Sequence, residues 1–160
     1  MSQYLRDRSC FLRNNLHIPN CLHKQEVLVL TLGSFAVGGL PFQIQRVSDT
    51  VKGVAVRVGG ANPAPIDDTE TTFPELQERI KKAIAIAESI KAADMNANEE
   101  KEVILPSREF GDIKITGKQF IVDYAIPNFF FHVMTAYAIL RKEGVDVGKN
   151  DFLGRGVDLD

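Results

Sequence analysis

Residues 127–144 read Pro127-Asn-Phe-Phe-Phe-His132-Val-Met-Thr-Ala-Tyr-Ala-Ile-Leu-Arg-Lys-Glu-Gly144. The run is a long helix with a glycine stop. It carries His132, the one histidine outside the N-terminal region that holds His17 and His23. A helix advances about 100° per residue. Ile121, Tyr124, Asn128, His132, Thr135 and Ile139 therefore fall in one stripe less than a quarter of the circumference wide. Isoleucines at both ends turn the stripe inward, while its middle is polar. A buried polar group without a partner costs on the order of 1–3 kcal/mol, so these four must bond each other, a water, a ligand or a metal. Pro127 removes its own N–H and presses on the carbonyl of Asp123, which predicts a freed carbonyl and a kink one turn from His132. Phe129, Phe130 and Phe131 would wall the site.

Upstream of this segment, Thr116 or Gly117 opens the helix, which spans 117–143. Residues 99–116 read as a β-hairpin, because Val103, Leu105, Ile113 and Ile115 alternate with polar residues and Pro106 and Gly111 bracket the turn. Leu40, Ile44, Val47, Val51, Val54 and Val58 recur at helical spacing over 42–58, and Gly59-Gly60 stops that helix. Gln43 and Thr50 lie at the edge of its apolar stripe. Gln45, Asp49 and Lys52 point away, to solvent or a partner. Asp67, Asp68 and Glu70 read as a solvated acidic loop near a helix N-terminus. Thr72-Phe-Pro-Glu75 is a capping-box pattern with proline in the first turn. It opens a helix over 71–92 whose buried stripe is Leu76, Ile80, Ala83, Ile84, Ala87 and Ile90. Residues 1–40 keep neither helical nor strand period for long, apart from a short buried strand at Val27–Leu32. Residues 145–160 show no regular pattern.

A chain of 160 residues, 44% hydrophobic and 25% charged, suits one soluble globular domain. A net charge of −2 without a dense Lys/Arg patch gives no case for nucleic acid. No segment reaches the roughly 18 apolar residues of a membrane span, and the late apolar run does not fit a secretory signal. Two cysteines, Cys10 and Cys21, make no disulfide framework, and the expected location is cytoplasmic. Cys10, His17, Cys21 and His23 have metal-ligand chemistry but no zinc-site spacing. Gly38-Gly39, Gly59-Gly60 and Val147-Gly-Lys-Asn150 lack the pattern of a phosphate loop. No Ser/His/acid or Cys/His constellation falls within one region. A lone histidine on an apolar helix face is most often a core residue bonded to a neighbour. A ligand-binding or vestigial catalytic histidine comes second, and a metal ligand third, since catalytic zinc takes three protein ligands.

Four segments in order, Phe42-Gln-Ile-Gln-Arg-Val-Ser-Asp-Thr-Val-Lys-Gly53, Asp68-Thr-Glu-Thr-Thr-Phe-Pro-Glu-Leu-Gln77, Pro127-Asn-Phe-Phe-Phe-His132 and Gly148-Lys-Asn-Asp-Phe-Leu-Gly154, resemble a family of bacterial and fungal proteins classed as a domain of unknown function. That family is similar to the DinB-like (YfiT-like) four-helix bundles, a group read as metalloenzymes. The resemblance covers about residues 41–154. It implies a mainly α, up-down four-helix bundle with a small β-hairpin before the last helix. It also implies a divalent metal held by three histidines, one from the second helix and two from an H-x3-H pair on the last, in thiol-dependent transferases and isomerases. Here the pair reads Asn128-x3-His132, and Gln43 is the inward polar residue of the second helix, so only His132 matches the metal set.

The family pattern begins abruptly near Leu40-Pro41. Residues 1–40 therefore read as an altered start, from a frame shift, a mis-joined exon or a misplaced gene start, with a diverged N-terminus as the alternative. An altered start would leave the bundle without its first helix and one face poorly covered. The expected organisation is this N-terminal segment, a bundle domain over 41–154 and a tail over 155–160. The expected function is a small-ligand-binding protein or degenerate enzyme, its pocket formed by Gln43, Tyr124, Asn128, His132 and Thr135. The alternatives are a metal-dependent transferase or isomerase and a structural, homodimerising bundle.

Overall fold

The computed structural model describes residues 38–107 and 109–154. The Val27–Leu32 strand, residues 1–37 of the altered start and the 155–160 tail lie outside them. Helix α1 (Leu40–Arg57) begins with Pro41 in its first turn, where a missing N–H costs nothing. Its C-terminus is closed by Gly60 at φ 69°, after which the Ala61 amide donates back to the Ala55 carbonyl. Helix α2 (Phe73–Ser89) starts at the expected capping box. The Thr72 hydroxyl accepts from the Glu75 amide at 3.4 Å, and the Glu75 carboxylate accepts from the Thr72 amide at 2.9 Å. It stops short of residue 92 because Ile90 turns extended, with ψ 125°. A short helix α3 (Ala92–Ala97) follows and buries Met95.

Strands β1 (Glu102–Ser107) and β2 (Gly111–Thr116) form the antiparallel hairpin, with Val103 opposite Ile115 and Leu105 opposite Ile113. The pairing puts the four apolar side chains on one face. Thr116 then caps the last helical stretch in a second capping box with Gln119. That stretch has three parts: α4 (Gly117–Gln119), a π-helical segment Phe120–Ala125, and α5 (Ile126–Lys142). The π segment sits where Pro127 predicts a disturbance. The proline ring cannot tolerate the carbonyl of residue 123 at α-helical distance, and the widened turn lets the Ile126 amide reach the Ile121 carbonyl instead. Gly144, at φ 82°, ends α5, and the tail adds one short turn, α6 (Lys149–Phe152).

Helix α1 packs against both α2 and α5. The main core joins Leu40, Ile44 and Val47 of α1 to Leu76, Ile80 and Ile84 of α2 and to Val133 and Ala136 of α5. Burying one such Leu or Ile side chain contributes about 1.5–3 kcal/mol. A second cluster, with Val58, Met95, Val103, Phe120, Ile121 and Ala125, seats the hairpin at the far end of α1. The chain is thus mainly helical with a small hairpin before the last helix. Among the described residues no helix is long and apolar enough to cross a membrane.

Candidate functional site

Two polar pairs cross the α1–α5 seam. Gln43, fully buried, faces His132, which is 8% exposed, with 2.8 Å between Gln43 Oε1 and His132 Nδ1. The amide orientation is set from its other end, because Gln43 Nε2 donates to the Gly38 carbonyl at 3.0 Å. Oε1 can only accept, so His132 Nδ1 carries the hydrogen. In the neutral ring Nε2 is then an unprotonated acceptor. It has no hydrogen-bond partner among the described residues. Burial first, and then the nearby Arg46 charge, hold the imidazole pKa below its ordinary 6.5, so the ring stays neutral. The rings of Phe42 and Phe131 stand edge-on to it, with centroids at 6.2 and 5.1 Å, and Arg46 lies over the Phe42 ring at 5.1 Å.

One turn away, Asn128 Nδ2 donates to Thr50 Oγ1 at 2.8 Å, and that hydroxyl donates to the Arg46 carbonyl at 2.7 Å. The structure therefore brings together Gln43 and His132, with Asn128 beside them. Thr135 is half-buried and turns its hydroxyl back to the Phe131 carbonyl of its own helix at 2.7 Å. The inward orientation expected of Tyr124 does not hold, since it is 47% exposed and stacks on Phe120 at 5.7 Å. An even advance of about 100° per residue assumes α geometry throughout. The wider π turns before Ile126 rotate less per residue, so the phase of Tyr124 slips relative to His132.

A second polar cluster surrounds Arg79. Arg79 of α2 has a fully buried side chain. Its Nε donates to Ser48 Oγ at 2.5 Å, and Nη1 donates to the Asp67 carbonyl and Glu70 Oε1, both at 2.9 Å. Nη2 meets Asp49 Oδ1 at 3.1 Å and Asp68 Oδ1 at 2.9 Å. Gln45, buried rather than turned to solvent, donates to Glu70 Oε2 at 3.0 Å. Burial pushes the Glu70 carboxyl up, but the bonds from Arg79 and Gln45 outweigh it and hold its pKa below the ordinary value. The acidic loop is thus exposed at Asp67 and Asp68 as expected, but it also latches a buried arginine through Asp68, Glu70 and the Asp67 carbonyl. Arg46 shares Asp49 and Asp68 with Arg79. Asp68 divides its two oxygens between the arginines, and Arg46 Nε is left buried without a partner among the described residues. The sequence signal was there, in an arginine set among the stripe residues Leu76, Ile80 and Ala83 downstream of three carboxylates.

A family model described as a domain of unknown function, DUF1993, matches residues 36–153. This chain belongs to the DUF1993 family. The crystal structure of a DinB family member protein from Shewanella denitrificans superposes on it with a TM-score of 0.74 and 32% sequence identity. The match covers 93% of this chain and 88% of that one, and places this DUF1993 protein among the DinB-like proteins. No curated protein matches the chain significantly. The three-histidine metal set implied by DinB-like proteins does not fit the described residues of the DUF1993 domain. His132 is the single histidine among them, and Gln43 and Asn128 offer only amide oxygens, which suit hard cations better than transition metals. Gln43 Oε1 is already spent on His132. Among the described residues no three His, Cys, Asp or Glu groups gather for a metal ion. Cys10, His17, Cys21 and His23 lie outside them.

Proposed function

We propose that this DUF1993 protein holds a small ligand at the α1–α5 seam, with His132 as the contacting side chain. One observation carries this. A core histidine usually bonds its ring nitrogens to its own protein or to water, whereas here Gln43 takes Nδ1–H and Nε2 keeps a lone pair with no partner among the described residues. Phe42 and Phe131 supply apolar walls, and Asn128 adds a polar group on the same helix face. The experiment is a thermal-shift screen of neutral, anionic and cationic fragments on the wild-type protein and on His132→Phe. A fragment that raises the wild-type Tm and leaves His132→Phe unmoved supports the function. Equal shifts in both proteins, with a lowered basal Tm as the only effect of the substitution, would mean a structural histidine in a bundle without ligand chemistry.

The enzyme alternative, a metal-dependent transferase or isomerase, draws on one feature. A metal-bound histidine commonly donates its second ring N–H to a carbonyl or carboxylate, and Gln43 plays that part here. Stoichiometric zinc in protein purified without added metal would favour that alternative.

A further inference from the structure

The polarity of the seam narrows the ligand class, given that a ligand binds at His132 as proposed above. Two hydrogen-bond chains end on backbone carbonyls and fix the polar atoms between them. The first runs from His132 Nδ1–H to Gln43 Oε1, and from Gln43 Nε2 to the Gly38 carbonyl. The second runs from Asn128 Nδ2 to Thr50 Oγ1, and from the Thr50 hydroxyl to the Arg46 carbonyl. Thr50 has one hydrogen and spends it on Arg46, so it must accept from Asn128, and the Asn128 amide cannot be flipped. Each chain leaves an acceptor, Nε2 of His132 and Oδ1 of Asn128, and the second chain also leaves one hydrogen on Asn128 Nδ2. Residues four apart on a helix lie on one face, roughly 6 Å apart at Cβ. Neither acceptor has a partner among the described residues.

The geometry points to a neutral ligand with a hydroxyl or amide N–H donor on an apolar body, the donor directed at His132 Nε2 and the body between Phe42 and Phe131. An anion would set its lone pairs against that of Nε2, and the Arg46 guanidinium nearby is already paired with Asp49 and Asp68. A cation would meet the charge of Arg46, close enough to depress the imidazole. Gln43 is the specificity-setting residue, because its carbonyl fixes which ring nitrogen carries the hydrogen.

The test is 15N NMR of the His132 ring in the full chain, with phenol, anisole, benzoate and Zn2+ as probes. In the unliganded wild type, Nδ1 should report as protonated and Nε2 as unprotonated; the opposite tautomer overturns the inference. Phenol should shift Nε2. Anisole, which has the ring but no donor, should bind about fivefold more weakly, the effect of losing one neutral hydrogen bond. Benzoate should leave Nε2 unmoved. In Gln43→Glu the new carboxylate favours the doubly protonated ring, Nε2 becomes a donor, and the preference should reverse from phenol to benzoate. A fold check by circular dichroism accompanies that variant, and the wild-type tautomer decides independently of it. Benzoate or stoichiometric Zn2+ taking Nε2 in the wild type leaves ligand binding standing and overturns the donor class. If no probe moves Nε2 while Tyr124 and Thr135 signals also stay fixed, ligand binding at the seam fails with it.

Discussion

Removing the guanidinium of Arg79 should be the most damaging single change in the described domain. Arg79→Met keeps most of the apolar stem and deletes every charged contact. Breaking a buried ion pair by deleting one partner costs about 3–5 kcal/mol, since the other charge is left uncompensated. The cost here belongs at the low end, because the Asp49 and Asp68 side chains are 39% and 43% exposed and can be rehydrated. Glu70 cannot, with its side chain 9% exposed and only neutral donors, Gln45 and its own backbone amide, left to bond it. The expected loss is therefore about 3 kcal/mol, or roughly 10 °C in Tm for a domain of this size. Urea unfolding monitored by circular dichroism measures it, with an unchanged m-value showing that the transition is the same one. The double variant Arg79→Met/Glu70→Gln should regain about 1 kcal/mol over the single, because it removes the stranded carboxylate. A loss below about 1 kcal/mol, the range of exposed ion pairs, would show that the latch is peripheral and that the physical account of it is wrong.

Three further outcomes are expected. His132 has a folded pKa below its unfolded value of about 6.5, so the unfolded chain takes up the proton first; stability should fall as pH drops below that value and level off below the folded pKa, and His132→Phe should lose this step in a pH series of melts. Thr72→Ala removes the hydroxyl half of the α2 capping box and should cost about 1 kcal/mol in chemical denaturation, whereas Thr72→Ser should be close to neutral. Gly117→Ala should destabilise by on the order of 2 kcal/mol, because its Cβ would run into the Asn98 carbonyl oxygen, a backbone atom that cannot swing aside. Wild-type stability in that variant would show that the α3–α4 approach has room for a Cβ at residue 117.

The parts that follow from the order of residues are those settled within a turn or a hairpin. Thr72 and Glu75 meet because they are three residues apart at a helix start, and Thr116 and Gln119 repeat the device. Gly144 closes α5 because a left-handed φ is cheapest there for glycine. The alternation of Val103, Leu105, Ile113 and Ile115 made the hairpin and its apolar face legible, since strand side chains change face at every residue. The inward placement of His132 followed from helical period, which set Gln43 only at the edge of its stripe, and the disturbance at Pro127 followed from the missing N–H and the ring's clash with the preceding turn.

Partners far apart in the chain could not be read this way. Gln43 meets His132 across 89 residues, Asn128 meets Thr50 across 78, and Arg79 meets Ser48 across 31. Periodicity says which face a side chain occupies, but not which residue of another helix lies opposite. That depends on how far one helix slides and rotates against the next, which the whole core sets at once. Arg79 shows the consequence: a charged residue inside an apolar stripe became a buried hub because packing delivered three carboxylates to it. Tyr124 shows the opposite case, an aromatic that helical period placed inside and that the π turns ahead of Pro127 rotated out to solvent.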